Sequence, residues 1–211
     1  METIGQILKQ KNKELQSMQK ESIDSLQKTK TNSLTKRKKQ SEARAFMQEY
    51  NPDYIMARCK GMTIEDINVL CIFQDTPTLS EMRVMYGDNM PTSWLIAQLF
   101  SLSEFCGAKD KMTDEIAEKT AFIIYSHFYY LKASELLLFF YKFSTGRYGH
   151  FYGVIDPQII INAINVFVLN ERNVMIDRKA TEERLKRLEE ERKNCITYEE
   201  YCRQRDKLEE T

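Results

Sequence analysis

Residues 131–173 read LKASELLLFFYKFSTGRYGHFYGVIDPQIIINAINVFVLNERN: an apolar helix pattern, a turn thick with glycine and aromatics, and a second apolar pattern. In the first, Leu131, Glu135, Leu138 and Lys142 mark one line at helical spacing, while Leu136, Phe139, Phe140 and Phe143 mark others. Apolar residues around most of the cylinder predict a helix buried among several neighbours. The second pattern opens on Asp156-Pro157, a capping side chain followed by the residue whose missing N–H costs nothing in a first turn. Its run from Ile159 to Leu169 is rich in β-branched residues, so a buried strand is the alternative. The Asp-Pro start, Asn162 and Asn165 three apart on one side, and the length favour helix.

The connecting turn carries Gly146, Gly149 and Gly153, which predict positive φ or close approach of another group. Two readings follow. The turn is a helix–helix connection with its rings plugged into the core, or it is a site. For the second, Lys142, Arg147 and His150 sit among Tyr148, Phe151 and Tyr152, beside a helix N-terminus where free N–H groups favour anions. Cations beside stacking rings suit phosphates and unpaired bases. The glycines match neither the phosphate loop nor the dinucleotide fingerprint.

The ordered set Leu131-Lys132, Glu135-Leu136, Phe139-Phe140, Gly146, Tyr148-Gly149, Phe151-Tyr152-Gly153, Asp156-Pro157 and Phe167 with Glu171-Arg172-Asn173 resembles a family of proteins encoded by phages and mobile elements of gut anaerobes. The likeness runs from about Thr78 to Ile176 and implies no particular activity. In size and all-helical pattern alone, the chain is also similar to small phage helicase-loader and replisome-accessory proteins, a likeness that bears on fold.

Outward from this centre the charge is uneven. The chain of 211 residues holds 31 basic and 31 acidic side chains, yet residues 1–45 carry 11 basic against 5 acidic. A basic arm on an acidic body points to nucleic acid, an acidic partner, or the chain's own body. Within the arm, Ile4, Leu8, Leu15 and Met18 are heptad-like, and the pattern fails before three heptads. Lys28, Lys30, Lys36, Arg37, Lys38 and Lys39 follow with no acid among them. Such a run is a solvated linker or a phosphate-backbone contact. No aromatic is interleaved, so base stacking is not its role.

Between the arm and the central pair, short amphipathic helices are predicted. Ala43, Phe46, Met47 and Tyr50 form a stripe ended by Asn51-Pro52. Thr63 with Asp66, and Thr78 with Glu81, have the spacing of reciprocal caps. Asp88 to Pro91 reads as a turn, with Thr92 or Ser93 capping a helix whose Trp94, Leu95, Phe100, Leu102 and Phe105 face inward. Thr113 starts a helix with Ile116, Thr120, Ile123, Ile124 and His127 on its inner side.

After Asn173 the texture becomes charged. Residues 178–194 hold few apolar side chains, and Glu182/Lys186, Glu183/Arg187 and Glu189/Lys193 lie four apart in the favourable order. This predicts a solvated helix continuing the buried one. Leu185 and Leu188 leave self-association open without specifying it. Thr197 would cap a last short helix with Tyr198, Tyr201, Cys202 and Leu208 on its apolar side.

Five cysteines and two distant histidines show no zinc spacing, and no nucleophile elbow or phosphate loop is present. The N-terminus lacks the apolar core of a signal peptide. Charges interrupt the apolar run from Ala121 to Phe143, so a membrane partner is not expected and a cytoplasmic place is. The expectation is an all-α protein: a basic arm over residues 1–40, a helical core over 41–176, and a charged helical tail over 177–211. It implies no enzyme activity and no cofactor. Its expected partner is another protein of the same phage or element, such as a helicase, a loader, or a capsid or portal protein. DNA or RNA is the alternative partner, and a virion component a further reading.

Overall fold

The computed structural model describes residues 37–107, 111–149, 156–194, 199 and 202–203. Among them the protein is all-α. Residues 37–49 form α1, followed by α2 (Tyr54–Arg58), α3 (Ile64–Phe73), α4 (Leu79–Tyr86), α5 (Met90–Phe105), α6 (Asp114–Phe128), α7 (Ala133–Ser144) and α8 (Pro157–Phe167). A π turn (Val168–Arg172) then leads directly into α9 (Asn173–Asn194).

Local chemistry sets most of these boundaries. Thr63 accepts from the Asp66 N–H while the Asp66 carboxylate accepts in return, and Thr78 and Glu81 repeat the arrangement. Asp156 accepts from the Gln158 N–H ahead of Pro157. Each cap satisfies backbone donors that a helix start leaves free. The run from Ile159 is thus helical, and the strand alternative is excluded.

Helix α7 is the axis of the core. Ten of its twelve residues are buried, among them Leu136, Leu137, Leu138, Phe139 and Phe140. It packs against α2, α3, α5 and α8, and only Tyr141 and Ser144, near its C-terminal end, are part-exposed. Its start is pinned to the start of α4. The Leu79 N–H donates to the Leu131 carbonyl, and the Ala133 N–H donates to that of Pro77. Ser134 Oγ, fully buried, donates to the Cys71 carbonyl and shares a hydrogen bond with Thr76. Trp94, 1 % exposed, ties α5 to the turn after α1 by donating its indole N–H to the Tyr50 carbonyl at 2.7 Å.

Three sequence expectations need correction. Helix α5 begins at Met90, before the expected turn ends, because Pro91 sits in its first turn, where no N–H is required. Phe105, at the end of α5, is exposed. The inner face of α6 is Ala117, Thr120, Ala121, Ile124 and Phe128, whereas Ile116, Ile123 and His127 are exposed. Small alanines bring α6 close to α5, the pair in most extensive contact, and size outranks hydropathy at such an approach.

From Pro157 to Lys193 the chain is one helix, long and apolar enough to cross a membrane by length and composition. Its apolar first half packs on the body through Ile160, Ala163, Ile164, Phe167 and Val168. Every residue from 177 to 193 is exposed. The rod is therefore anchored at one end and solvated at the other.

Candidate functional site

The turn after α7 bends through Gly146 (φ 80°) and Gly149 (φ 115°), a region that side chains with a Cβ avoid. This backbone folds Arg147 and Tyr148 back toward α7. Tyr148, half-buried, stacks on Phe139 with ring centroids 5.6 Å apart. Lys142 is on the last turns of α7 with its side chain 5 % exposed. All three converge on one carboxylate. Glu171 Oε2 accepts from Lys142 Nζ, and Oε1 accepts from Arg147 Nε at 2.9 Å and the Tyr148 hydroxyl at 2.8 Å.

The next residue makes a second pair. Arg172 Nε donates to Glu135 Oε1 at 2.7 Å, and the other Glu135 oxygen accepts the Lys132 N–H that begins α7. Glu135 is fully buried. Arg172 also lies over the Tyr130 ring and donates to Asn173 Oδ1. Glu135 and Lys142 are seven residues apart on one line of α7, so two adjacent charges of the π turn span two helical turns of it.

The π turn makes this reach. The Asn173 N–H donates to the Val168 carbonyl, five residues back, which widens the turn and inserts a residue into the helical register. The insertion aims Glu171 and Arg172 at α7, in line with the apolar face of α8.

Burial alone pushes the Glu171 carboxyl up, but hydrogen bonds from Lys142, Arg147 and Tyr148 outweigh it and leave the group below its ordinary value. Desolvation, then the Glu171 hydrogen bond, pushes the Tyr148 phenol up. Glu171 holds Arg147 above its usual value. Nearby Cys71 is inert: burial pushes its thiol up to about 12.

The residues singled out by sequence fall into three groups. Lys142, Arg147 and Tyr148 come together, with Lys142 buried and Arg147 58 % exposed. Arg37, Lys38 and Lys39 are exposed on α1; Lys38 lies 3.9 Å from Glu42, and Lys39 Nζ donates to the Val84 carbonyl at the end of α4. Lys28, Lys30, Lys36, His150 and Tyr152 lie outside the described residues, as do the heptad-like stretch and most of the tail beyond Asn194. The sequence reading missed Glu135, Glu171 and Arg172 as partners. Their signal was the presence of charge inside otherwise apolar helices.

Residues 111–211 match one protein-family model, described as a family of unknown function (DUF6633). The match takes in α6 to α9 and hence all three ion pairs, Lys142–Glu171, Arg147–Glu171 and Arg172–Glu135. Neither a curated protein nor a solved structure matches.

Proposed function

We propose that this chain is a non-enzymatic accessory protein of a phage or mobile element. In this reading it works in the cytoplasm and docks on a replication or packaging partner: a helicase, its loader, or a capsid or portal protein. The supporting observation is the rod from Pro157 to Asn194. Its first half is fixed to α7 by buried ion pairs, while residues 177–193 are exposed and carry Leu185 and Leu188 in water. An exposed helix on a rigid mount is a ready element for helix-mediated recognition. The phage or mobile-element origin is supported by the pattern from Leu131 to Asn173.

The test is affinity capture from cells bearing the element, comparing the tagged full chain with one ending at residue 176. The expected result is a dominant protein partner that is lost on truncation. The same partners with both chains, or none with either, would contradict the proposal.

A second reading, contact with nucleic acid, is favoured by Arg37, Lys38 and Lys39 standing exposed at the start of α1. Mobility shifts at two salt concentrations test it. Binding that weakens with salt and disappears on deletion of residues 1–40 supports it, and no shift at low salt contradicts it.

A further inference from the structure

Helices α3 and α9 leave between them a groove of roughly 440 Å³. Its apolar lining is Val69, which is 51 % exposed, with Phe73 and Met175, both half-buried. The core face of α3 is Ile67, Cys71 and Ile72. Val69 and Phe73, four residues apart, therefore form a second apolar line on the outer side of α3. Opposite them, Met175, Lys179 and Glu182 follow at helical spacing along one face of α9.

The charges across this groove are not balanced. Arg178 is tied to Glu182 at 3.1 Å. Lys179 has no carboxylate partner among the described residues and instead rests its Nζ 4.0 Å from the centroid of the Phe73 ring. An uncompensated ammonium thus lies directly over the apolar floor.

We propose that this groove receives an acidic amphipathic helix of the partner protein. The inference rests on the docking role of α9 and adds the chemistry of what docks there. Apolar side chains of the incoming helix pack on Val69, Phe73 and Met175, and a carboxylate beside them takes Lys179 off the ring. Helix-in-groove binding uses this combination of apolar anchors and a flanking charge.

The test uses fluorescence anisotropy on the full chain with two labelled synthetic helices, one built of Leu and Glu in an amphipathic pattern and one with Lys replacing Glu. The acidic probe should bind at least about tenfold more tightly. Val69→Asp should abolish its binding and Lys179→Ala should weaken it, with circular dichroism unchanged for these exposed positions. Equal binding of both probes, no binding, or binding indifferent to Val69→Asp would overturn the proposal. So would acidic-probe binding that appears only after removal of residues 195–211, which would make the chain's own tail the occupant. A dimer in sedimentation equilibrium that Val69→Asp converts to monomer would assign the groove to a second copy and overturn it equally. Partner capture lost on truncation at residue 176 but kept by Val69→Asp would leave the adaptor reading standing and sink the groove alone.

Discussion

Glu171 and Arg172 are neighbours in the chain, yet they bind charges two helical turns apart on α7, Lys142 and Glu135 respectively. The two pairs run in opposite senses, acid to base and base to acid, and so fix both the register and the direction of the rod against the core helix. A one-residue slip of the rod would set Glu171 toward Glu135 or Arg172 toward Lys142, and like charges in a buried setting are expensive.

That arrangement predicts strong asymmetry between single and double substitutions. Glu135→Ala leaves the Arg172 guanidinium without its acid partner in a largely buried place, at an expected cost of about 3–5 kcal/mol. Replacing both partners, Glu135→Met with Arg172→Met, removes the charges together and should recover most of that loss. Chemical denaturation of Glu135→Met, Arg172→Met and the double variant measures it, and additive losses would count against a coupled pair.

Acid should act on the same cluster. The folded-state Glu171 carboxyl is held below its ordinary value, so its contribution is fully present above the unfolded carboxylate range near about 4.3. It is lost as pH falls through the lower folded value. Glu81, lowered mainly by the Thr78 backbone hydrogen bond, titrates in the same direction. The stability gap between the native chain and Glu171→Gln should therefore be wide at neutral pH and should narrow in acid. A gap that does not change with pH would remove Glu171 as an ionised hub.

The cap at Thr78 joins two distant parts of the chain, because the same residue faces Lys132 across an isolated antiparallel bridge. Thr78→Ala removes the acceptor for the Glu81 N–H and should cost about 1 kcal/mol. Thermal unfolding followed by circular dichroism reads this directly.

Gly149 is required for its backbone alone. Its φ is 115°, and a Cβ placed there would meet nothing within 4 Å. Gly149→Ala should thus destabilise through strain, by about 1–3 kcal/mol, and no compensating cavity mutation nearby should restore it. Rescue by shortening a neighbouring side chain would show that crowding, not conformation, fixes the glycine.

Wherever local chemistry decides, the fold was legible in the sequence. Thr63–Asp66, Thr78–Glu81 and Asp156-Pro157 each satisfy helix starts with side chains a few residues away, and a spacing rule finds such pairs. The inner face of α6 was not legible. Ile116 and Ile123 are more apolar than Ala117 and Ala121, but the close approach to α5 selects small side chains over greasy ones. The π turn left no mark in the pattern either, since one inserted residue only shifts a helical period that charged residues had already blurred.

The turn of glycines and aromatics was legible as special backbone, though not in its partners. Lys142, Arg147 and Tyr148 could be grouped by nearness in sequence. Glu171, more than twenty residues on, belongs to the group only through the packing of α8 on α7. A lysine or glutamate within an apolar helix implies a buried counter-ion, and pairing Glu135 with Arg172 and Lys142 with Glu171 needed the three-dimensional register.

The most direct measurement is amide hydrogen exchange along 157–194 in the native chain and in Glu171→Gln. Anchoring of the rod by the ion pairs predicts slow exchange through Phe167 and the π turn, fast exchange beyond residue 177, and loss of protection in the first half when the carboxylate is neutralised. Uniform exchange along the whole rod, or protection of the first half unchanged in Glu171→Gln, would contradict it.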